Sequence, residues 1–282
     1  MRNQEPYRIM PYAADFRSCF RRFGFHYLAA LLVILGVKYW YGRAGSEELE
    51  WILLPTVRWV EAISGLTFEK APRNGYVNHA LRFVIAPSCS GVRFMLVAFS
   101  VLAFPFLHRM KTEGKGWGWM AFSMPAAYLY TVLTNGLRIV FAVYLPSVFE
   151  KSMETPLFRE WLTQEKLHTL IGTAVYFTSL LVLYRGTEMF FRWRNAGRAA
   201  ERGDGGAVSP DCWPGRVFLC YLPPAACYFT AVLFLPLLRR IYRNDWDGFW
   251  DYALPVASVC LFVLACFGLT GVLCKKAGSK RR

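Results

Sequence analysis

Histidine is scarce in this chain, four residues in 282, and no two stand four apart as a helical metal pair would require. Cys220 and Cys227 are seven apart with no histidine nearby, so zinc spacing is missing too. These gaps argue against a metal centre, and no motif for an organic cofactor stands out. Acidic residues are few, 19 against 33 Lys and Arg, for a net charge of +14. The excess of positive charge flanks apolar segments instead of forming a nucleic-acid module, so it reads as orientation in a bilayer and contact with anionic lipid. A small-residue cleavage site is missing after the first apolar run, which reads as a retained anchor. Internal repeats are also missing.

What the chain has in abundance is apolar surface: 55% hydrophobic and 17% aromatic residues. Six stretches approach the roughly 20 residues that cross a bilayer. They are Phe25–Tyr41, Val92–Leu107, Trp117–Thr134, His168–Tyr184, Val217–Leu238 and Ala253–Leu273. Two weaker stretches, Trp51–Gly65 and Ile139–Phe149, read as interfacial or re-entrant, and would raise the count to eight if both crossed. The expected fold class is an all-α polytopic transmembrane helical bundle. Its expected divisions are a basic cytoplasmic N-terminus (1–24), a membrane-embedded core (25–191), a cytoplasmic linker (192–216) and a C-terminal transmembrane hairpin with a basic tail (217–282). Arg192–Pro214, with its R-G-D-G-G and S-P-D, reads as flexible, and Pro223–Pro224 should kink the fifth span. With both termini inside, the inner segments carry 19 Lys and Arg against 12 outside, which favours that orientation.

On this topology three polar residues share the outer side. Cys89, in A-P-S-C-S-G, starts the second span, where the positive end of the helix dipole favours a thiolate. Ser88 or Ser90 can cap that helix, and Ser90 is a rival nucleophile that needs stronger base assistance. Arg138 follows Asn135, which reads as the N-cap of Ile139–Phe149, so the arginine would oppose that helix's dipole unless an anion lay near. His168 heads the fourth span, where the dipole favours a neutral imidazole able to take a proton. Glu165 is placed to orient that ring, and His79 is a rival base. Cys89 lacks a clear disulfide partner, since the other cysteines fall within spans or on the reducing side. Cys260, about two turns into the last span, is its nearest rival partner.

The motifs P-S-C-S-G (Pro87–Gly91), N-G-L-R (Asn135–Arg138) and K-L-H-T-L-I-G-T-A-V-Y-F around His168 resemble, in order and separation, those of the exosortase and archaeosortase family of membrane cysteine transpeptidases. The resemblance covers roughly Trp51–Tyr184, and a compact exosortase of the K type is the subfamily it suggests. It implies Cys89 as nucleophile, His168 as general acid/base and Arg138 as stabiliser of thiolate or oxyanion; Ser90, Asn135 and Glu165 read as supporting residues from their own positions beside these three. The implied substrates are secreted proteins ending in a short sorting motif, a transmembrane helix and a basic cluster, cleaved through an acyl-enzyme at the outer face of a bacterial or archaeal cytoplasmic membrane. An amine or glycan-linked group would accept the acyl chain. A different class of function is also open: transport or assembly of envelope polysaccharide or a lipid-linked species, with Arg138 and His168 lining an anion path. A membrane scaffold without a site would leave the three residues scattered.

Overall fold

The computed structural model describes residues 12–72, 74–110, 112–150, 164–201, 214–238 and 246–279. Seven helices dominate it: α1 (Tyr12–Tyr41), α2 (Glu50–Ser64), α3 (Val92–Leu107), α4 (Glu113–Glu150), α5 (Gln164–Glu201), α6 (Pro214–Phe229) and α7 (Asp247–Ser279). Six segments are long and apolar enough to cross a membrane, one each in α1, α3, α4, α5, α6 and α7. The chain is therefore an all-α polytopic bundle, with one small sheet among the described residues.

Hydrophobic side chains place α3 at the centre. Arg93 is its one exposed residue, and Phe94, Met95, Phe99, Leu102 and Phe106 are all buried. Lipid tails are as apolar as these side chains, so the bundle is held chiefly by close packing. Phe106 lies 5.2 Å from Tyr184 and 5.5 Å from Phe191 between ring centroids, and Phe94 stacks on Tyr176 at 4.4 Å. Such aromatic pairs contribute about 0.5–1.5 kcal/mol each beyond area burial.

The two weaker apolar stretches take different forms. Trp51–Gly65 becomes α2, whose 15 residues end at Ser64 and are capped by Gly65 in the left-handed region. Tyr128 and Tyr144 of α4 donate their hydroxyls to Trp51 O (2.8 Å) and Ser64 O (3.2 Å), clamping α2 lengthwise along α4. Ile139–Phe149 is not a separate segment, because α4 runs unbroken through Asn135. Asn135 is thus no N-cap, and Arg138 is not in a first helical turn, so the dipole argument for Arg138 falls. The asparagine is tolerated in the helix because its amide is bonded to other elements and does not compete for its own backbone.

Between α2 and α3 the chain forms a three-stranded antiparallel sheet ordered β1 (Glu69–Ala71), β2 (Gly75–Asn78), β3 (Phe83–Ile85). Tyr76 pairs with Ile85 and Lys70 with Tyr76. Lys70 Nζ meets Glu50 Oε1 at 2.8 Å and ties the sheet to α2. The ammonium holds the Glu50 carboxyl below the usual carboxylate range, so the tether is present at neutral pH and lost on acidification.

The expected linker begins as helix: α5 continues to Glu201, and 202–213 lie outside the described residues, as do 1–11 of the N-terminal segment. In the fifth span, the backbone departs from α-helical geometry at Thr230–Phe234, a π turn beyond Pro223 and Pro224.

At the end of the bundle away from Cys89, Glu188 of α5 is 5% exposed and draws in three arginines. Arg192 Nη2 lies 2.7 Å from its carboxylate, Arg185 Nη1 3.2 Å and Arg109 Nη2 4.0 Å. Removing the carboxylate leaves these half-exposed cations facing one another. Glu188→Gln is expected to cost about 2–3 kcal/mol, below the usual figure for breaking a fully buried pair. The check is its unfolding midpoint in detergent; a midpoint equal to the parent's would show the cluster to be electrostatically neutral.

Candidate functional site

Cys89 closes a single 3-10 turn, Pro87–Cys89. Its N–H donates to Ala86 O at 2.8 Å, and Ser90 N–H donates to Pro87 O at 3.1 Å. The thiol is therefore not in the first turn of α3 but in a separate turn that precedes it. Gly91 makes the junction at φ +78, in the left-handed region. A Cβ there would also lie 3.0 Å from Asn135 Cγ and from Thr131 Cγ2. Glycine thus satisfies both the backbone angle and the approach to α4. The residue that caps α3 is this glycine, and neither Ser88 nor Ser90 supplies a side-chain cap.

Thr131, Asn135 and Arg138 stand at i, i+4 and i+7 on α4, a spacing that puts them on one face. Asn135 is 0% exposed and bonded at both ends of its amide: Nδ2 donates to Cys89 O at 2.7 Å, and Oδ1 accepts from the Tyr176 hydroxyl at 2.7 Å. One amide therefore holds the cysteine turn, α4 and α5 in register. A turn later, Arg138 Nη2 donates to His168 Nε2 at 2.7 Å, and its Cζ lies 5.3 Å from the Tyr176 ring centroid. The guanidinium also lies close enough to the Cys89 thiol and the Tyr176 hydroxyl to interact electrostatically with both. A guanidinium only donates, so Nε2 accepts, and the neutral His168 ring carries its proton on Nδ1.

His168, Gly172 and Tyr176 follow at i, i+4 and i+8 on α5. Gly172 is the gap through which the arginine enters, since a Cβ there would sit 3.0 Å from Arg138 Nε. A mid-helix glycine costs roughly 1 kcal/mol against alanine, and this one is explained by that passage. Around this cluster three polar atoms are buried without a hydrogen-bond partner among the described residues: Arg138 Nε, Ser90 Oγ and Thr131 Oγ1. Unpaired groups at such positions are completed by water or by a bound molecule.

The structure thus brings Cys89, Arg138 and His168 together, with Arg138 as the hub. Other expected participants are elsewhere. Ser90 is 0% exposed and turned into the core, which removes it as a nucleophile open to substrate. His79 sits in the exposed turn between β2 and β3, 3.7 Å from Glu69. Cys260 is a fully buried free thiol, and Cys89 is free as well. The Glu165 side chain lies outside the described residues. Gly172 and Tyr176 were missed from sequence, although both stand at helical spacing from His168 within H-T-L-I-G-T-A-V-Y. No family model, curated protein or solved structure matches this chain.

Proposed function

We propose that the protein is a membrane-embedded cysteine transpeptidase of the exosortase kind. It acts on secreted proteins held by a C-terminal transmembrane helix. The observation that carries this reading is the convergence of a free thiol, a guanidinium and a neutral imidazole on one cluster, built from three elements distant in sequence. The excess of Lys and Arg on the opposite loops favours an outer-face site in a bacterial or archaeal cytoplasmic membrane.

In the proposed reaction His168 takes the Cys89 proton on Nε2, which displaces the Arg138 N–H toward sulfur. The thiolate attacks the scissile carbonyl, a C–S bond forms, and Arg138 faces the oxyanion. The intermediate collapses, the C–N bond breaks, and the leaving amine takes the proton from His168. An incoming amine or glycan-linked nucleophile then gives its proton to His168 and attacks the thioester. The acyl group is transferred, and the sulfur departs to regain the proton. Tyr176 and Asn135 position the arginine and the cysteine turn and do not touch the reacting atoms.

The test is made in cells carrying this gene and a co-encoded protein with a C-terminal membrane helix. Intact-mass spectrometry should find that protein shortened at its C-terminus, and deletion of the gene should restore the uncut form. An identical C-terminus in both strains would remove the processing reading. The transport reading expects that result, together with loss of an exported glycan.

A further inference from the structure

A cavity of about 200 Å³ opens beside His168. Its apolar wall comes from three places: Leu81 and Phe83 at the sheet, Ala142 and Pro146 on α4, and Leu167 and Ile171 on α5. A space of about 150 Å³ already holds a benzene ring, so an aliphatic side chain fits here. The cavity shares His168 with the cluster described above.

The strand beside this cavity is unfinished. β3 pairs with β2 on one side, and its other edge has no backbone partner among the described residues. Val84, in its middle, is exposed. One residue, Ala86, separates β3 from the turn that carries Cys89. At the cavity mouth Arg82 holds φ +50, in the left-handed region where a non-glycine residue is strained. An open strand edge is a template for an extended chain, since main-chain groups bind the backbone and a neighbouring pocket reads a side chain. Here β3 leads through Ala86 into the turn that carries the thiol, and the cavity takes part of its wall from Leu81–Phe83 at the start of the same strand.

We propose that an extended peptide segment adds to the free edge of β3 as a fourth strand and seats one aliphatic side chain in the cavity, which delivers its next carbonyl to Cys89. The occupant is the segment preceding the substrate's membrane helix, so the inference rests on the processing reading. Selection is by strand conformation and by the size of one side chain.

The test uses the full-length protein in detergent and tripeptidyl chloromethyl ketones as probes. Cys89 sulfur displaces chloride, a thioether forms, and the thiol proton and chloride leave as HCl, so intact mass reads the rate directly without any natural substrate. A probe with leucine in one position should label Cys89 at least about 10-fold faster than the all-glycine probe, the discrimination expected of an apolar pocket. Ala142→Phe, which fills the cavity, should abolish that preference while iodoacetamide labels Cys89 at the parent rate. Leu167→Ala, which enlarges it, should shift preference toward phenylalanine. N-methylation of successive probe amides should slow labelling at alternate positions only, because alternate residues of a strand face the partner. Equal rates for leucine and glycine probes, an unchanged preference in both variants, or insensitivity to N-methylation would each overturn the proposal. None of these readings depends on processing in cells, so the two proposals can fail separately.

Discussion

Cells producing the Cys89→Ala protein are expected to contain the anchored substrate entirely in its uncut form, and Cys89→Ser to process it at least about 10³-fold more slowly than the parent. The difference between sulfur and oxygen is the informative part. Serine is nearly the same size and keeps the 3-10 turn, whose bonds use backbone atoms alone. The turn's other attachment, Asn135 Nδ2 to Cys89 O, is also indifferent to the side chain. A hydroxyl holds its proton far more tightly than a thiol and needs stronger base assistance. Here the neighbouring imidazole nitrogen is shared with Arg138. A Cys89→Ser protein that processes substrate within threefold of the parent would end the thiol mechanism. Continued glycan export in that variant would favour the transport reading.

Arg138→Lys is expected to lower kcat/KM about 10²–10³-fold, the usual result of removing one donor aimed at a developing charge. The position needs a fork. Arginine reaches His168 Nε2 on one side and faces the thiol on another, while its plane passes over Tyr176. Lysine keeps the charge but concentrates it at one freely rotating ammonium, which cannot hold these directions together. Gly172 leaves a slot shaped for a flat group, and the lysine would leave part of it empty. Activity should be read beside the amount of folded protein, and the loss should appear at unchanged abundance. Retention of activity within threefold would show that charge alone suffices and that the fork is incidental.

Hydropathy made the six crossings readable, because apolar runs of that length have no other stable home. The boundaries were harder, since helices continue past the apolar run into polar ends such as Glu113–Lys115 and Arg192–Arg194. The continuity of α4 through Asn135 and Gly136 was not readable locally. Asparagine breaks helices by bonding to nearby backbone, and only the distant Tyr176 and Cys89 show that this one is otherwise engaged. The sheet was signalled by Pro72 and by Asn74–Gly75 between short polar-apolar alternations, a hairpin pattern too brief to stand out beside the long apolar runs. Of the site, Cys89, Arg138 and His168 were visible as polar residues at the margins of apolar runs. Gly172 and Tyr176 were hidden because a glycine and a tyrosine in an apolar helix look like packing until the arginine between them is seen.

The unbroken course of α4 sets the depth of the Cys89–Arg138–His168 cluster. Glu113–Pro146 is 34 residues, or about 51 Å of helix, against a hydrocarbon layer of about 30 Å. Arg138 stands about 37 Å along it from Glu113. With the first turn of α4 anchored at one headgroup layer, the guanidinium arrives just beyond the opposite edge of the oil and draws the sulfur to the same level. A rigid rod spanning the whole thickness makes the depth of the cluster a property of the protein and not of the lipid, and on the proposed function that depth is where cleavage occurs. Bilayer thickness would then become a second measure of substrate fit: an anchor helix too long or too short for the surrounding membrane presents its junction above or below the thiol.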